Sequence, residues 1–508
     1  MTDTRVIFVS KQFEDIFERV TKDWPADAAI PAPRIMILED ECTPVLDKFS
    51  PPSETSARRT SRPPRRVSKD APSQDVTAAD HGTKKRSAPD DYAILLYTSG
   101  SINIKGVMHS QRGLLSNQQA AGEALLVTQQ NEVFIAGLPL SHSYGLLCGF
   151  VPLSFGSIAV YAPSPRSIAE YITASREAYP SYGLLTAGVP DLARIMNQRI
   201  IRSAKGSGKN SPPVKRVLGA VKYGVFLLMR RINYCTAVNL DLDLSKIFFK
   251  PIKKRFGNEL KMPIGGGPTD SVTEFGLRSI GIFAAGGYGT TEMAPLLSSN
   301  VPTYKRMMSG SVGQVPPGME VKIIDGEVCG RGPNMMLGYL KNDEATKKAI
   351  PGDGWYHTGD RGYYVKRGFA GRQIPVNYPP DYIYTEADKD CFLILKGRVD
   401  NQFANQKGEN IFPEVIESIL MGFPIVSSCR VYENPPTHVM AQVFPDMEAI
   451  ELELGKTPTA DEIKSLVSQI VRKTNVQLQS GCGIDDFEVQ DADFERNAFG
   501  KIKRTKSV

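Results

Sequence analysis

The chain has 508 residues, 41% hydrophobic and 23% charged, a globular composition with room for two or more domains. Its net charge of +6 is matched by one tract, Arg58, Arg59, Arg62, Arg65, Arg66 and Lys69, so basicity is local and gives no nucleic-acid-binding character to the whole. Seven scattered cysteines without paired-Cys spacing exclude a disulfide framework and a Cys-based zinc site, and they point to a reducing compartment.

In chain order, the start MTDTRVIFVSKQFED carries no signal-peptide apolar core, and the end Lys506-Ser507-Val508 is not a peroxisomal address. A cytoplasmic protein is expected. Residues 50–89, Pro/Ser/Arg-rich and without apolar periodicity, read as a disordered loop. Then comes LLYTSGSINIKGVMHS (95–110), an apolar strand entering a Thr98-Ser99-Gly100-Ser101 turn, with Lys105-Gly106 before the next element. Such a turn grips polyphosphate through backbone N–H groups, hydroxyls and one Lys. Its middle, Ile102-Asn103-Ile104, is bulky where such a loop wants small, flexible residues, and taken alone the stretch reads as an ordinary strand-to-turn junction.

EVFIAGLPL (132–140) and SIAVYA (157–162) read as buried strands, and 164–179 reads as a helix opened by Ser164-Pro165. Residues 214–231 form an apolar stretch with basic residues at both ends and in its middle. They read as a buried or half-buried helix, with peripheral membrane contact as the other reading; no apolar run is long enough for a span. Strand–helix alternation up to about residue 300 implies helix-covered parallel sheets. Past residue 310, Asp325-Gly326 between two alternating strands predicts a hairpin and a more antiparallel, β-barrel-like region. Residues 365–390 read as a surface insertion, and after Arg398 the chain reads as a compact α+β unit. The expected class is α/β, with a large domain over 1–399 and a small mobile α+β domain over 400–508.

Four further stretches carry chemistry: GGYGTTEMAP (286–295), GWYHTGD (354–360), KGRVDNQFANQKGENIFPEVIE (396–417) and ERNAFGKIKR (495–504). Singly, Glu292 is a helix cap, Asp360 a turn residue and Lys501 a solvated cation. As an ordered set, with PLSHSYGL (139–146) and IGGGP (264–268), they resemble the adenylate-forming superfamily of acyl-CoA ligases, luciferases and peptide-synthetase adenylation domains. The resemblance runs from Asp90 to Arg504 and leans towards fatty-acyl-CoA ligases.

It implies an ATP-dependent enzyme that joins a carboxylic acid to AMP and passes the acyl group to the thiol of coenzyme A. Ser99, Gly100, Ser101 and Lys105 would hold the outer phosphates, Thr291 would touch the α-phosphate, and Glu292 would hold Mg²⁺. Gly266, Gly267 and Tyr288 would frame the adenine, while Asp360 and Arg398 would take the ribose. Lys501 would bridge acid and α-phosphate, and His142 would shape the acid's entry or serve structurally. Asp400 aligns with the family's hinge, although Asn401 stands where an acidic residue is common. Lys407, Gly408 and Glu409 would line the coenzyme A tunnel. The phosphate loop is one residue short and lacks the family's Gly and Pro. The segment ahead of it is also shorter than the family's, as in a truncated gene or a reduced first subdomain. Two alternatives stay open: transfer to an acyl-carrier domain, and a nucleotide- or acyl-binding protein with impaired catalysis.

Overall fold

A computed structural model describes residues 6–9, 34–37, most of 88–496 and Ile502, leaving out 99–103, 128–131, 164–166, 206–212, 257–259, 268, 369–371, 377, 380 and 479–480. The loop expected at 50–89 thus lies outside the described residues except at its end. Two units divide at Ser87 and Ala88. In the first, β1 (Val6–Val9) and β2 (Arg34–Ile37) pair in parallel.

The second unit opens with a hairpin, β3 (Tyr92–Tyr97) and β4 (Gly106–Ser110), followed by α1 (Gln111–Ala124). Ser110 ends the strand and starts the helix, its hydroxyl accepting from Gly113 N at 3.0 Å. Then come β5 (Glu132–Ala136), α2 (Ser143–Ser154), β6 (Ile158–Tyr161), α3 (Ile168–Ala178), β7 (Gly183–Thr186) and α4 (Pro190–Lys205). Next are α5 (Pro213–Leu240), α6 (Ser245–Phe248), α7 (Lys250–Phe256), β8 (Leu260–Ile264), α8 (Ser271–Arg278) and β9 (Ile282–Gly289). Five of these strands lie parallel in the order β9-β8-β7-β5-β6, and β10 (Leu296–Ser299) closes the β9 edge antiparallel. Every residue of β5 and β8 is buried, as expected of strands covered by helices on both faces. The buried Lys261 on β8 reaches across β7 to Glu132 on β5 at 2.8 Å and also donates to Leu126 O. A paired charge is tolerated there; a single one is not. The strand expected over 132–140 stops at Ala136, where a turn takes over and His142 N donates to Pro139 O. The helix expected from Ser164-Pro165 begins at Ile168.

The antiparallel region consists of β11 (Glu320–Ile324), β12 (Glu327–Arg331), β13 (Gly338–Tyr339), α9 (Asp343–Ala349), β14 (Tyr356–Arg367), β15 (Gln373–Pro375), β16 (Ile383–Tyr384) and β17 (Cys391–Arg398). Asp325 (φ 49°) and Gly326 (φ 81°) form the expected two-residue turn between β11 and β12. Both φ values are positive, which Asp-Gly adopts at low cost. The stretch 365–390 contributes β15 and β16 to this sheet, and its Tyr384 is buried, stacking on Tyr364 at 3.6 Å. β13 leaves the sheet to pair with β4.

The last segment contains β18 (Phe403–Ala404), β19 (Asn410–Ile411), α10 (Pro413–Met421), β20 (Val426–Glu433), β21 (Val439–Pro445), α11 (Met447–Leu454), α12 (Ala460–Gln477) and β22 (Asp486–Val489). It has its own core around Leu420, Val431, Ala441, Ile450 and Val467. Strict alternation of burial along β21 places one of its faces there. Arg194 on α4 donates to Val426 O and Ser427 O, and Arg202 pairs with Glu448 at 3.1 Å. These bonds join the segment to the parallel-sheet layer.

Candidate active site

The loops after β5, β8 and β9 all leave the C-terminal edge of the parallel sheet, where open α/β sheets bind ligands. Ile264 pairs with Gly286, so Gly265–Gly267 and Gly287–Gly289 emerge side by side. Gly266 has φ 87°, and both Gly266 and Gly267 are exposed. A Cβ at Gly289 would sit 1.6 Å from Pro295 O, so only glycine fits where β9 folds back onto β10. His142 caps α2, its Nδ1 accepting from Tyr144 N at 3.2 Å. Tyr144 in turn donates to Pro263 O at 2.8 Å and lies against Gly265. His142 therefore positions an aromatic side chain beside the glycine loop.

One cluster joins β9 of the parallel sheet to the paired β14 and β17 of the antiparallel sheet. Asp360 on β14 faces Arg398 on β17, with Arg398 Nε 3.3 Å from Asp360 Oδ1. Tyr288, at the end of β9, donates its hydroxyl to Asp360 Oδ2 at 2.6 Å. Burial raises the Tyr288 phenol above its ordinary value, and the nearby Asp360 charge raises it further, so this hydroxyl stays a donor. The backbone around Asp360 is fixed as well: its N–H donates to Thr358 Oγ1 at 3.0 Å, and Gly359 N donates to Glu327 Oε1 at 2.7 Å.

A second cluster lies at the mouth of the β3–β4 hairpin. Thr98 and Lys105 close it, Thr98 N donating to Lys105 O at 3.0 Å and Lys105 N to Thr98 Oγ1 at 3.1 Å. Lys105 Nζ stands 4.6 Å over the Tyr339 ring, and the Tyr339 hydroxyl donates to Glu292 Oε1 at 2.7 Å. Thr291 and Glu292 form a 3₁₀ turn directly after β9. Its shape is held from beneath by the buried His109 of β4, whose Nε2 lies 2.8 Å from Thr291 O. Burial lowers the His109 pKa, so the ring is neutral and Nε2–H is the donor. Glu292 is a buried carboxylate with one oxygen occupied by Tyr339, which leaves acceptor capacity for a hard cation.

Asp400 sits in a 3₁₀ turn, Val399–Asn401, directly after β17. Lys407, Gly408 and Glu409 form the turn between β18 and β19. Asn405 organises that turn: its Oδ1 accepts from Lys407 N and Glu409 N, and its Nδ2 donates to Gly481 O at 2.7 Å. Ser99, Gly100, Ser101 and Lys501 lie outside the described residues. The fold thus brings Tyr288, Asp360 and Arg398 into one bonded group and Lys105 and Glu292 into another, through the Tyr339 ring. His142 and the 407–409 turn make their contacts elsewhere.

Tyr339, His109, Asn405 and Glu327 were missed by sequence reasoning. A faint signal existed for His109, a polar residue at an inward position of an alternating strand beside the loop.

The profile of the AMP-binding enzyme family matches residues 6–340. Long-chain-fatty-acid–CoA ligase 1 of Cavia porcellus is 26% identical over 432 residues, covering 80% of this chain and 56% of its own. The chloroplastic long-chain-fatty-acid–[acyl-carrier-protein] ligase AEE15 of Arabidopsis thaliana is 26% identical, covering 76% of this chain and 55% of its own. The chain therefore spans about half the length of these curated relatives. ATP-bound MatB from Rhodopseudomonas palustris shares the fold with a TM-score of 0.60 at 19% identity, over 98% of this chain and 78% of that one. With the profile spanning well over half of its residues, this chain belongs to the AMP-binding enzyme family.

Proposed function

We propose that the chain is an AMP-forming acid–thiol ligase that activates a fatty or fatty-like carboxylic acid and transfers it to coenzyme A. The observation that carries this reading is the Tyr288–Asp360–Arg398 group at the C-terminal edge of the sheet. A carboxylate fixed by a phenol on one oxygen and a guanidinium on the other is oriented in advance, and a carboxylate is the side chain suited to accept both hydroxyls of a ribose. Gly266, Gly267 and the Tyr288 ring would frame the base above it.

In the first half-reaction a carboxylate oxygen of the acid attacks the α-phosphorus of ATP. A P–O bond forms to the acid, the bond to the bridging oxygen breaks, and pyrophosphate leaves. Lys105, with Ser99, Gly100 and Ser101, would hold the departing phosphates; Thr291 would contact the α-phosphate. Lys501 would sit between acid and phosphate, where negative charge accumulates. Glu292 would hold Mg²⁺, which when bound neutralises phosphate charge. In the second half-reaction the coenzyme A thiolate attacks the acyl carbon and AMP leaves with the bonding electrons. Asp400 would be the hinge that moves Lys501 out and brings Lys407, Gly408 and Glu409 to the incoming thiol.

A second reading, transfer to a carrier-protein phosphopantetheine, is favoured by the similarity to an acyl-carrier-protein ligase. Thioester formation with free coenzyme A and with a phosphopantetheinylated carrier protein, each given ATP and a long-chain acid, separates the two. Thioester on coenzyme A at the higher kcat/KM is expected. Product on the carrier alone would move the assignment to the second reading, and product on neither would refute both.

A further inference from the structure

Helix α5 is apolar on both sides. Its 28 residues, 213–240, include no Asp or Glu and five basic residues, Lys215, Arg216, Lys222, Arg230 and Arg231. The inner face is locked into the sheet layer. Phe226 meets Phe249 edge-on at 5.7 Å, the buried Arg230 donates to Ser279 Oγ at 2.7 Å, and Asn233 donates to Ser279 O at 2.9 Å. Arg230 is thus used inside, and the helix cannot roll its outer face inwards.

That outer face is a stripe of aliphatic side chains at helical spacing: Val217 (65% exposed), Val221 (57%), Val225 (45%), Leu228 (58%) and Ile232 (39%). At 1.5 Å per residue it is about 22 Å long. The exposed Lys222 and Arg231 stand about 90° to either side of it at 100° per residue. At the helix end and just past it, Leu240, Leu242 and Ile247 are exposed as well, as are Lys246 and Lys250. Just past the helix, Asp241 pairs with Lys305 at 2.5 Å, and Asp243 accepts from Ser245 N at 2.8 Å.

We infer that α5 docks the protein onto an anionic phospholipid surface, its Val/Leu/Ile stripe entering the acyl boundary while Lys222 and Arg231 meet the headgroups. Charge complementarity decides for this occupant, because the helix offers two exposed cationic flanks and no carboxylate for a basic partner. The stripe also lacks the aromatic anchors and hydrogen-bonding side chains that organise protein–protein contacts. That the bilayer would supply the acid rests on the functional reading above, but the docking itself does not.

The test is flotation of the full-length protein, without ATP or acid, with vesicles of phosphatidylcholine alone and with about one third phosphatidylglycerol. A polarity-sensitive dye on the exposed Cys235, which lies in line with the stripe, reports insertion, with Cys235→Ser as the dye control. Wild-type protein is expected to float with the anionic vesicles, to be released by salt, and to show a blue shift. The double variant Val221→Glu/Leu228→Glu should lose roughly thirtyfold in partitioning, two carboxylates each costing about a factor of five near an anionic surface. Should that variant not fold, Lys222→Gln/Arg231→Gln must still lose the preference for anionic over neutral vesicles. Three results would overturn the inference: no flotation of the wild type, unchanged flotation of the variants, or a wild-type dimer that Leu228→Glu splits, which would assign the face to a second copy. Because no substrate is present, failure here leaves the ligase reading intact.

Discussion

Asp360 is oriented by Tyr288 and Arg398 from two different strands, so its carboxylate is fixed before any ligand binds. Asp360→Ala should leave the fold in place and weaken ATP binding by roughly tenfold or more, since an unmet buried polar contact costs about 1–3 kcal/mol. Titration calorimetry reads this directly; unchanged affinity would remove Asp360 from the nucleotide site. His109 acts one step back, through the carbonyl of Thr291. His109→Ala should lower unfolding free energy by about 1–3 kcal/mol in a denaturant titration, because the bond it supplies is buried. Its pKa is lowered in the fold, so its contribution is present above the unfolded value of about 6.5 and lost as pH falls through the folded one. Denaturation curves that coincide for the variant and the wild type would show that the ring holds nothing.

Helix α8 carries the opposite case. Glu274 is buried, its Oε2 accepting from Gly310 N at 2.7 Å, and burial pushes its carboxyl from 4.5 up to about 8. The folded state then holds a proton that the unfolded chain has lost, so stability falls as pH rises from about 4.5 to about 8. Glu274→Gln keeps the acceptor and removes the titration; the slope of unfolding free energy against pH should flatten by up to about 1.4 kcal/mol per pH unit. An unchanged slope would mean that Glu274 is ionised in the fold. What was legible in the sequence follows this scale. Continuous apolar runs marked β5 and β6 as strands, and Asp325-Gly326 marked its hairpin, because those signals are written in adjacent residues; β6, read as buried, is half-buried because it is the edge strand of its sheet. Tyr339 and His109 gave almost none, since their positions arise when β13 pairs with β4 and β4 packs under a turn 182 residues away. The early end of the strand at Ala136 depends likewise on a local turn that hydropathy does not reveal.

Across the whole second unit, Tyr288–Asp360–Arg398 links β9 of the parallel sheet to β14 and β17 of the antiparallel sheet, and Asn401, in the turn after β17, donates to Glu414 of α10. The proposed rotation would have to break the bonds from Arg194 and Arg202 to the C-terminal segment while pivoting at that turn. Asp400→Pro fixes φ near −65° and disfavours the helical turn at Val399, so one half-reaction should suffer far more than the other. Equal losses in pyrophosphate exchange and thioester formation would reject the hinge. In the proposed function the two clusters serve acid-dependent transfer of AMP, despite a phosphate loop one residue short. Isotope exchange between pyrophosphate and ATP, measured on the wild-type protein with a medium- and a long-chain fatty acid, tests it most directly. The expected exchange requires the acid, falls by about two to three orders of magnitude in Lys501→Ala, and rises when residues 101–104 are rebuilt as Ser-Thr-Gly-Asn-Pro. Folded wild-type and rebuilt proteins that bind ATP yet show no acid-dependent exchange would contradict it, leaving a nucleotide-binding protein without the ligase reaction.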